Sequence, residues 1–137
     1  MGFKGDDKQK RKDLDCIFAW SYAWGMGSAL DERSKDYFDS LVKDLFKQAQ
    51  WPPLSVYDYY YDMKAKEHTW KEWHQKVDKF EFNKEMSFFE MMVPTADTYK
   101  HRYCLELLLG IEKGVFFTGQ TGVGKSVSIA NSLTILS

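Results

Sequence analysis

The sequence has few cysteines and histidines, no long apolar run and no strong excess of charge. Its 137 residues include 19 basic and 20 acidic side chains, which gives a net charge of −1. This balance provides no general reason to expect nucleic acid or an anionic membrane as a partner. No run reaches the roughly 18 apolar residues that a membrane-spanning helix needs. We therefore predict neither nucleic acid nor a membrane as a partner.

The two cysteines and three histidines show no disulfide or metal-binding pattern. Cys16 and Cys104 lie far apart in apolar helical patterns, and neither belongs to a CxxC motif. We interpret both as core thiols of a protein in a reducing compartment. His68, His74 and His101 lack metal-ligand spacing with one another or with the cysteines. All five residues are therefore interpreted as structural.

The N-terminus lacks the apolar core of a secretory signal peptide. It also has Asp6 where a myristoylation site needs Ser or Thr. Acidic residues interrupt the basic cluster that follows, so a solvated helix start is favoured over a targeting signal. The cluster consists of Lys8, Lys10, Arg11 and Lys12, among Asp6, Asp7 and Asp13.

Aromatic residues, by contrast, are abundant. Phe, Trp and Tyr make up 17% of the chain, and hydrophobic residues make up 44%. That is ample material for a core, so disorder throughout the chain is not expected. The length would suit one domain, and no internal repeat or low-complexity segment is visible.

The first helix is predicted between Leu14 and Leu30. This stretch is apolar nearly all round, with small residues interleaved and glycines near its end, which indicates a helix buried on several sides. Aromatic residues at helical spacing favour core packing over a cofactor-binding role. The large apolar residues are Leu14, Ile17, Phe18, Trp20, Tyr22, Trp24 and Met26.

A second helix is predicted next, capped by Asp31 or Ser34. It ends near Gln50, because Trp51-Pro52-Pro53 cannot continue it. The two helices would form a hairpin with its own apolar face. The apolar stripe of the second helix is Phe38, Leu41, Val42, Leu45 and Phe46.

Residues 51–92 are predicted to form a small, antiparallel, β-containing connector. Residues 56–62 are rich in tyrosine and β-prone, whereas residues 69–73 fit either a helical turn or another strand. Phe80 and Phe82 alternate with charged residues, as they would in a half-buried strand.

Asp58 and Asp62 would fall on the same face of a strand in this connector. Such a carboxylate pair could form a metal or acid/base site. No partner motif accompanies the pair, so we favour solvated strand residues.

A helix and a strand are predicted after the connector. Val93-Pro94-Thr95 interrupts the connector, and a helix begins near Asp97 and ends at Gly110 or Gly114. Residues 115–118 then form a short, apolar, β-prone run. The inward-facing residues of the helix would be Tyr99, Tyr103, Leu107 and Leu108.

The most informative motif is residues 119–126, which fit the phosphate-binding pattern G-x-x-x-x-G-K-[ST]. Its three glycines permit positive φ angles and carry no Cβ, so successive amides can surround an anion. A helix after the loop adds unpaired amides and the positive end of its dipole. At average residue usage the four fixed positions coincide by chance in about 0.5% of chains of this length. Phosphate binding is therefore favoured over a turn that merely joins a strand to a helix.

Two side chains of this motif have specific predicted roles. Lys125 would bring a charge to the β- and γ-phosphates, and the Ser126 hydroxyl would be a Mg²⁺ ligand. The helix that follows carries Val127, Ile129, Ala130, Leu133 and Leu136 at near-helical spacing. The predicted cofactor-binding residues are Gly119, Gln120, Thr121, Gly122, Val123, Gly124, Lys125, Ser126 and Val127.

Several motifs follow one another in a characteristic order. They are the Trp-rich helix of residues 19–25, Phe38-Asp39, the tyrosine-rich residues 57–60, Trp70-x-x-Trp73, and residues 93–126. This combination resembles the dynein heavy chains, over about residues 14–137. Residues 117–126 are more similar to the axonemal members than to the cytoplasmic ones.

The resemblance implies an α/β (mixed) fold from a ring of six AAA+ modules, spanning the end of the second module and the start of the third. Residues 1–50 would form the helical, lid-like end of the preceding module, and residues 51–92 the β-containing connector. Residues 93–137 would form the N-terminal part of the next P-loop module, with an incomplete sheet. Val93-Pro94-Thr95 would lie near the adenine.

The family uses ATP to drive movement along microtubules, with the third module as a regulatory nucleotide site. The resemblance therefore implies ATP or ADP with Mg²⁺ as cofactors, and neighbouring AAA+ modules as partners. Through the parent motor, dynein intermediate and light chains and microtubules would be further partners. The implied location is the cytoplasm and cytoskeleton, in the axoneme of a cilium.

Hydrolysis needs an acidic strand for Mg²⁺ and water, a polar sensor and an arginine from a neighbouring module. These parts would follow Ser137 or lie elsewhere, so we assign no catalytic residue and expect the 137 residues alone not to hydrolyse ATP. Phosphate release that Lys125→Ala abolishes would contradict this expectation. A non-enzymatic interaction module, or a truncated isoform with a non-functional P-loop, remains the alternative. A small kinase is disfavoured, because only 11 residues follow the loop.

Overall fold

A computed structural model describes residues 6–77, 79 and 93–136. The chain divides into two compact units, residues 1–72 and residues 73–137. The predicted strand at Phe80 and Phe82 lies outside the described residues.

The first unit consists of two helices and a β-hairpin, joined by short 3-10 turns. The hairpin is antiparallel, with Tyr61 opposite Trp70 in the register. The elements are α1 (Asp7–Gly27), α2 (Glu32–Leu45), 3-10 turns at Lys47–Ala49 and Val56–Asp58, β1 (Tyr59–Asp62) and β2 (Thr69–Glu72).

Both helices begin at an aspartate that caps the first turn. Asp6 accepts a hydrogen bond from the amide of Gln9 at 2.8 Å, and Asp31 accepts one from the amide of Ser34 at 2.8 Å. Asp31 is therefore the cap of α2. The basic cluster lies in the first turns of α1, as predicted, but Asp13 within it is buried.

The buried face of α1 is made of small residues rather than large ones. The prediction of a helix buried on several sides is wrong for the described residues, since Leu14, Phe18 and Met26 are 53%, 65% and 66% exposed. Small side chains let neighbouring elements approach the helix axis, and Ile17, Tyr22 and Trp24 pack against the buried residues from the sides. The buried stripe is Cys16, Ala19, Ala23 and Gly27.

α2 packs on this stripe through only part of its predicted apolar face. Val42 is fully buried, and Phe38 and Phe46 are half-buried against it. Leu41 and Leu45 are exposed, contrary to the prediction that they share the buried stripe. α2 ends at Leu45, earlier than the predicted end near Gln50, because Phe46 leaves the helical conformation with φ −119° and a separate 3-10 turn follows before the prolines.

Indole groups fix the hairpin to the helices. Trp20 Nε1 donates to the carbonyl of Tyr59 at 3.0 Å, and Trp70 Nε1 donates to the carbonyl of Ala49 at 2.9 Å. Of the two structures considered for residues 69–73, the strand is correct for Thr69–Glu72, whereas Trp73 begins a 3-10 turn. The strand predicted from residue 56 begins only at Tyr59, because a 3-10 turn precedes it.

Asp58 and Asp62 do not form a carboxylate pair on one strand. Asp58 lies in the 3-10 turn, and Asp62 ends β1. Asp62 pairs with Lys71 Nζ at 2.7 Å and accepts from the amide of Lys64 at 2.9 Å. Burial raises the pKa of Asp62, but the bonds from Lys71 and the backbone outweigh it and lower the pKa overall.

In its described residues the second unit contains a 3-10 turn and two helices: Trp73–Lys76, α3 (Ala96–Leu109) and α4 (Lys125–Leu136). The Thr95 hydroxyl caps α3 by accepting from the amide of Thr98 at 3.2 Å, and Gly110 follows its last turn. α3 buries Tyr99 and Leu105. The predicted inward positions of Leu107 and Leu108 are wrong, because both are exposed in the described part of the unit.

Residues 115–118 do not form the predicted strand within the described part of the chain. A strand needs a neighbour that accepts and donates along its edge, and these residues pair with no described segment. Phe116 is 90% exposed as a result. The described fold is thus mostly helical, with one two-stranded sheet, rather than an α/β layer. None of its described helices is both long and apolar enough to cross a membrane.

Candidate phosphate-binding site

The glycine-rich loop joins the irregular residues 113–118 to α4, which begins at Lys125. Its glycines adopt the backbone angles that the motif requires, as predicted. Gly122 has φ 84°, Gly124 has φ 77° and Gly119 has φ 156°. Residues other than glycine rarely adopt these φ angles. Any other residue at these three positions would therefore strain the backbone of the loop.

Space lies open beside the loop. A Cβ placed on Gly122 or Gly124 would meet no atom within 4 Å. The side chains of Val123 and Val127 are 61% and 45% exposed. An anion could therefore approach the loop backbone directly, which is the requirement for a site built from main-chain amides.

The Lys125 side chain folds back across the loop. Its Nζ donates to the carbonyl of Gly119 at 2.9 Å and also to the carbonyl of Gln120. The first turn of α4 thus returns a positive charge to the start of the loop. This arrangement holds the ammonium on the segment that the motif assigns to phosphate.

The N-terminal turn of α4 supplies the second feature of an anion site. The amide of Ser128 donates to the carbonyl of Gly124 at 2.9 Å, which starts the helical ladder. The amides before Ser128 lie at the positive end of the helix dipole. Ser126 is exposed in this turn, so its hydroxyl is accessible to a metal ion that accompanies a phosphate.

All nine predicted cofactor-binding residues are contiguous, so the chain itself brings them together. Val93-Pro94-Thr95 lies before α3, where Thr95 serves as the cap. Its predicted position near an adenine remains a proposal.

The cysteines are buried to different degrees. Cys16 is fully buried, and its thiol donates to the carbonyl of Ala49 at 3.4 Å. Cys104 is only half-buried. Burial raises the pKa of each thiol to about 11, so both are protonated and unreactive at neutral pH. The described residues contain no group of three or more His, Cys, Asp or Glu side chains placed to hold a metal.

The sequence analysis missed one polar cluster, formed by Asp13, Gln9, Tyr61 and His68. The sequence predicts Asp13 to lie in a solvated helix start and assigns His68 only a structural role. A signal was available, because Asp13 precedes Cys16 by three positions and so shares the buried face of α1.

Two protein families match successive parts of this chain. Residues 2–75 match the dynein heavy chain AAA lid domain, and residues 80–137 match the P-loop containing dynein motor region. A helical lid followed by the start of a P-loop region defines an AAA-type motor protein. The chain belongs to the dynein heavy chain family.

Curated relatives agree with this assignment. Human dynein axonemal heavy chain 6 is 36% identical over 114 residues, which cover 80% of this chain. The Chlamydomonas reinhardtii dynein-1-alpha heavy chain of the flagellar inner arm I1 complex is 30% identical over 137 residues, 90% of this chain. The ciliary dynein beta chain of Heliocidaris crassispina is 31% identical over 128 residues, also 90% of this chain. The chain spans about 3% of the length of each of these relatives.

Proposed function

We propose that residues 119–127 bind the phosphates of ATP or ADP together with Mg²⁺. The observation that carries this proposal is the loop conformation, with Gly122 and Gly124 at positive φ directly before the first turn of α4. Open space beside both glycines leaves their backbone accessible. The family match to a P-loop containing motor region supports the same chemistry.

In the proposed complex each group has a distinct role. The loop amides and the N-terminal amides of α4 donate to phosphate oxygens. Lys125 leaves the carbonyls of Gly119 and Gln120 and turns its ammonium to the β- and γ-phosphates. The hydroxyl of Ser126 binds Mg²⁺. The bound Mg²⁺ would supply charge neutralisation of the phosphate oxygens.

We propose further that the chain joins the second and third AAA+ modules of a dynein heavy chain. Residues 1–50 would be the helical end of the second module, and residues 51–92 the connector. Residues 93–137 would open the third module, with Val93-Pro94-Thr95 near the adenine. The order of the two matched families, lid first and P-loop second, supports this arrangement.

The proposed function of the whole protein is ATP-driven, microtubule-based movement in cilia. Its partners would be neighbouring modules of the same heavy chain, dynein intermediate and light chains, and microtubules. Its location would be the cytoskeleton of the axoneme. The support is that the relatives carry axonemal, flagellar and ciliary names.

A nucleotide titration with Lys125→Ala tests the site. We expect the unsubstituted chain to bind Mg-ATP with a Kd on the order of micromolar, as calorimetry would measure. Loss of a charged donor costs about 1.5–3 kcal/mol, so Lys125→Ala should weaken binding roughly 10- to 150-fold. The matched control is Lys113→Ala, which removes the same charge from an exposed position six residues before the loop.

The control variant should bind within about twofold of the unsubstituted chain, since Lys113 lies outside the motif. Circular dichroism would show that all three proteins retain their helices. If the unsubstituted, folded chain does not bind Mg-ATP, the proposal is wrong and the non-enzymatic interaction module becomes the better account. Equal losses in both lysine variants would also contradict it.

A further inference from the structure

Asp13 is the one charged side chain that is fully buried in the described parts of the chain. It lies in the first half of α1, and its relative exposure is 0%. A buried carboxylate without partners is strongly destabilising, so its surroundings need an explanation.

Three donors satisfy this carboxylate. Gln9 Nε2 donates to Asp13 Oδ1 at 2.7 Å, and the Tyr61 hydroxyl donates to the same oxygen at 2.9 Å. His68 Nδ1 lies 2.8 Å from Asp13 Oδ2. An ionised carboxylate can only accept, so Nδ1 carries the proton in both the neutral and the charged imidazole.

The protonation states of Asp13 and Tyr61 agree with an ionised carboxylate that accepts hydrogen bonds from its neighbours. Burial raises the pKa of Asp13, but the hydrogen bonds from His68, Gln9 and Tyr61 outweigh it and lower the pKa overall. Burial, with the bond to Asp13, raises the pKa of Tyr61. At neutral pH Asp13 is therefore an anion and Tyr61 a neutral donor.

The cluster joins parts of the chain that are distant in sequence. Tyr61 lies 48 residues after Asp13, in β1, and His68 lies 55 residues after it, just before β2. β2 is the last element of the first unit. The His68 side chain retains 17% exposure, whereas that of Asp13 has none. The cluster therefore reaches solvent through His68 on the hairpin side and through the half-buried Gln9 on α1.

We propose that Asp13, Tyr61 and His68 form an acid-sensitive latch that holds the β1–β2 hairpin on α1. Protonation of Asp13 removes the anion that both hairpin residues bind. The latch therefore adds to the indole hydrogen bonds of Trp20 and Trp70 in holding the hairpin, at the point where the chain leaves the first unit. Acid removes the contribution of the latch.

The sign of the pH dependence follows from Asp13. Its pKa in the folded chain lies below the ordinary value of 3.8, so the latch stabilises the hairpin above about pH 4. This stabilisation is lost as the pH falls through the folded pKa.

The groups that face the carboxylate are Gln9 on α1, Tyr61 on β1 and His68 before β2. On α1 the Cys16 thiol interacts with Asp13 and also with Lys12 and Asp15. Ala49 of the adjacent 3-10 turn carries no charge.

Hydrogen exchange of His68→Leu tests the latch at pH 7. The substitution leaves Asp13 Oδ2 buried without a donor, so amides of β1 and β2 should exchange at least about tenfold faster. Amides in the middle of α2 should change by less than about twofold, because they do not depend on the hairpin. The matched control is His74→Leu, an exposed histidine whose replacement should leave the hairpin unchanged.

Uniformly faster exchange in α2 and the hairpin would mean that the cluster only adds general stability, and would overturn the latch. So would hairpin exchange no faster than in the His74→Leu control.

A measurement on the unsubstituted chain covers the case in which the His68→Leu variant does not fold. NMR should show the His68 proton on Nδ1 in slow exchange at pH 7, and hairpin protection should fall severalfold as the pH is lowered from 5 to 3. Asp13→Asn should reduce that pH dependence, and the remainder should come from Asp62, whose pKa is also lowered and which pairs with Lys71 across the hairpin. A rapidly exchanging imidazole proton, or hairpin protection independent of pH, would contradict the latch.

Discussion

Replacing Trp73 by alanine should lower the free energy of unfolding of residues 73–137 by about 3–5 kcal/mol. Trp73 is fully buried, the largest side chain of the described residues to be so. Its ring packs edge-on against Tyr103 at a centroid distance of 5.2 Å. Lys76 Nζ lies 5.4 Å from the Tyr103 ring and 5.9 Å from the Trp73 ring, so the substitution also removes a cation–π contact.

A loss of this size is comparable to the whole stability of a small domain. Hydrogen exchange of the α3 amides would therefore report on it directly, as a collapse of protection at pH 7. The matched control is Phe116→Ala in the same unit, because Phe116 is 90% exposed. That control should change stability by less than about 0.5 kcal/mol. Similar effects of the two substitutions would show that Trp73 does not organise the unit.

Gly27→Ala should lower the free energy of unfolding of the first unit by about 1–3 kcal/mol. A Cβ at this position would collide with the Tyr57 hydroxyl and would lie 2.5 Å from Phe38 Cε1. Tyr57 is buried and donates to the carbonyl of Ala23 at 3.5 Å, so it cannot move away freely. Urea unfolding followed by tryptophan fluorescence would measure the change.

Gly25→Ala, two residues earlier in α1, should have the opposite effect on the free energy of unfolding. A Cβ on Gly25 would meet nothing within 4 Å. Alanine there should raise stability by about 0.5–1 kcal/mol, because glycine is the poorer helix former. If Gly27→Ala stabilised the unit as Gly25→Ala should, the close packing of α1 on Tyr57 and Phe38 would be wrong.

Much of the chain's local structure could be predicted because local chemistry determines it. Asp31 caps α2 through its own side chain. The prolines at 52 and 53 prevent a helix from continuing past them, although α2 already ends at Leu45. Gly122 and Gly124 adopt positive φ because glycine has no Cβ to oppose that conformation. These features depend on neighbours within a few residues in sequence.

Burial was harder to predict, because it depends on partners far away in the chain. Leu14 and Phe18 are apolar but exposed, while the buried face of α1 consists of small residues and Asp13. The burial of Asp13 is tolerated only because Tyr61 and His68 reach it from the hairpin. A helical pattern alone contains no information about such partners.

The strand predicted at residues 115–118 failed for a related reason. The β propensity of Phe116 and Phe117 is real, but a strand exists only as part of a ladder. Among the described residues, no strand lies beside Phe116 and Phe117 for them to pair with. The β propensity of the sequence therefore identifies a segment that is able to form a strand. Whether the strand forms depends on a second strand with which it can pair.

The most direct test of the proposed function is to follow backbone amide NMR signals while Mg-ADP is added. Phosphate bound by the loop should shift the amides of Gly122, Gly124 and Ser126 most, and leave those of β1 unchanged. In Lys125→Ala the same shifts should need roughly 10- to 150-fold more Mg-ADP to reach half their full size. Loop amides that do not move at saturating Mg-ADP, or shifts confined to other parts of the chain, would contradict a nucleotide site at residues 119–127.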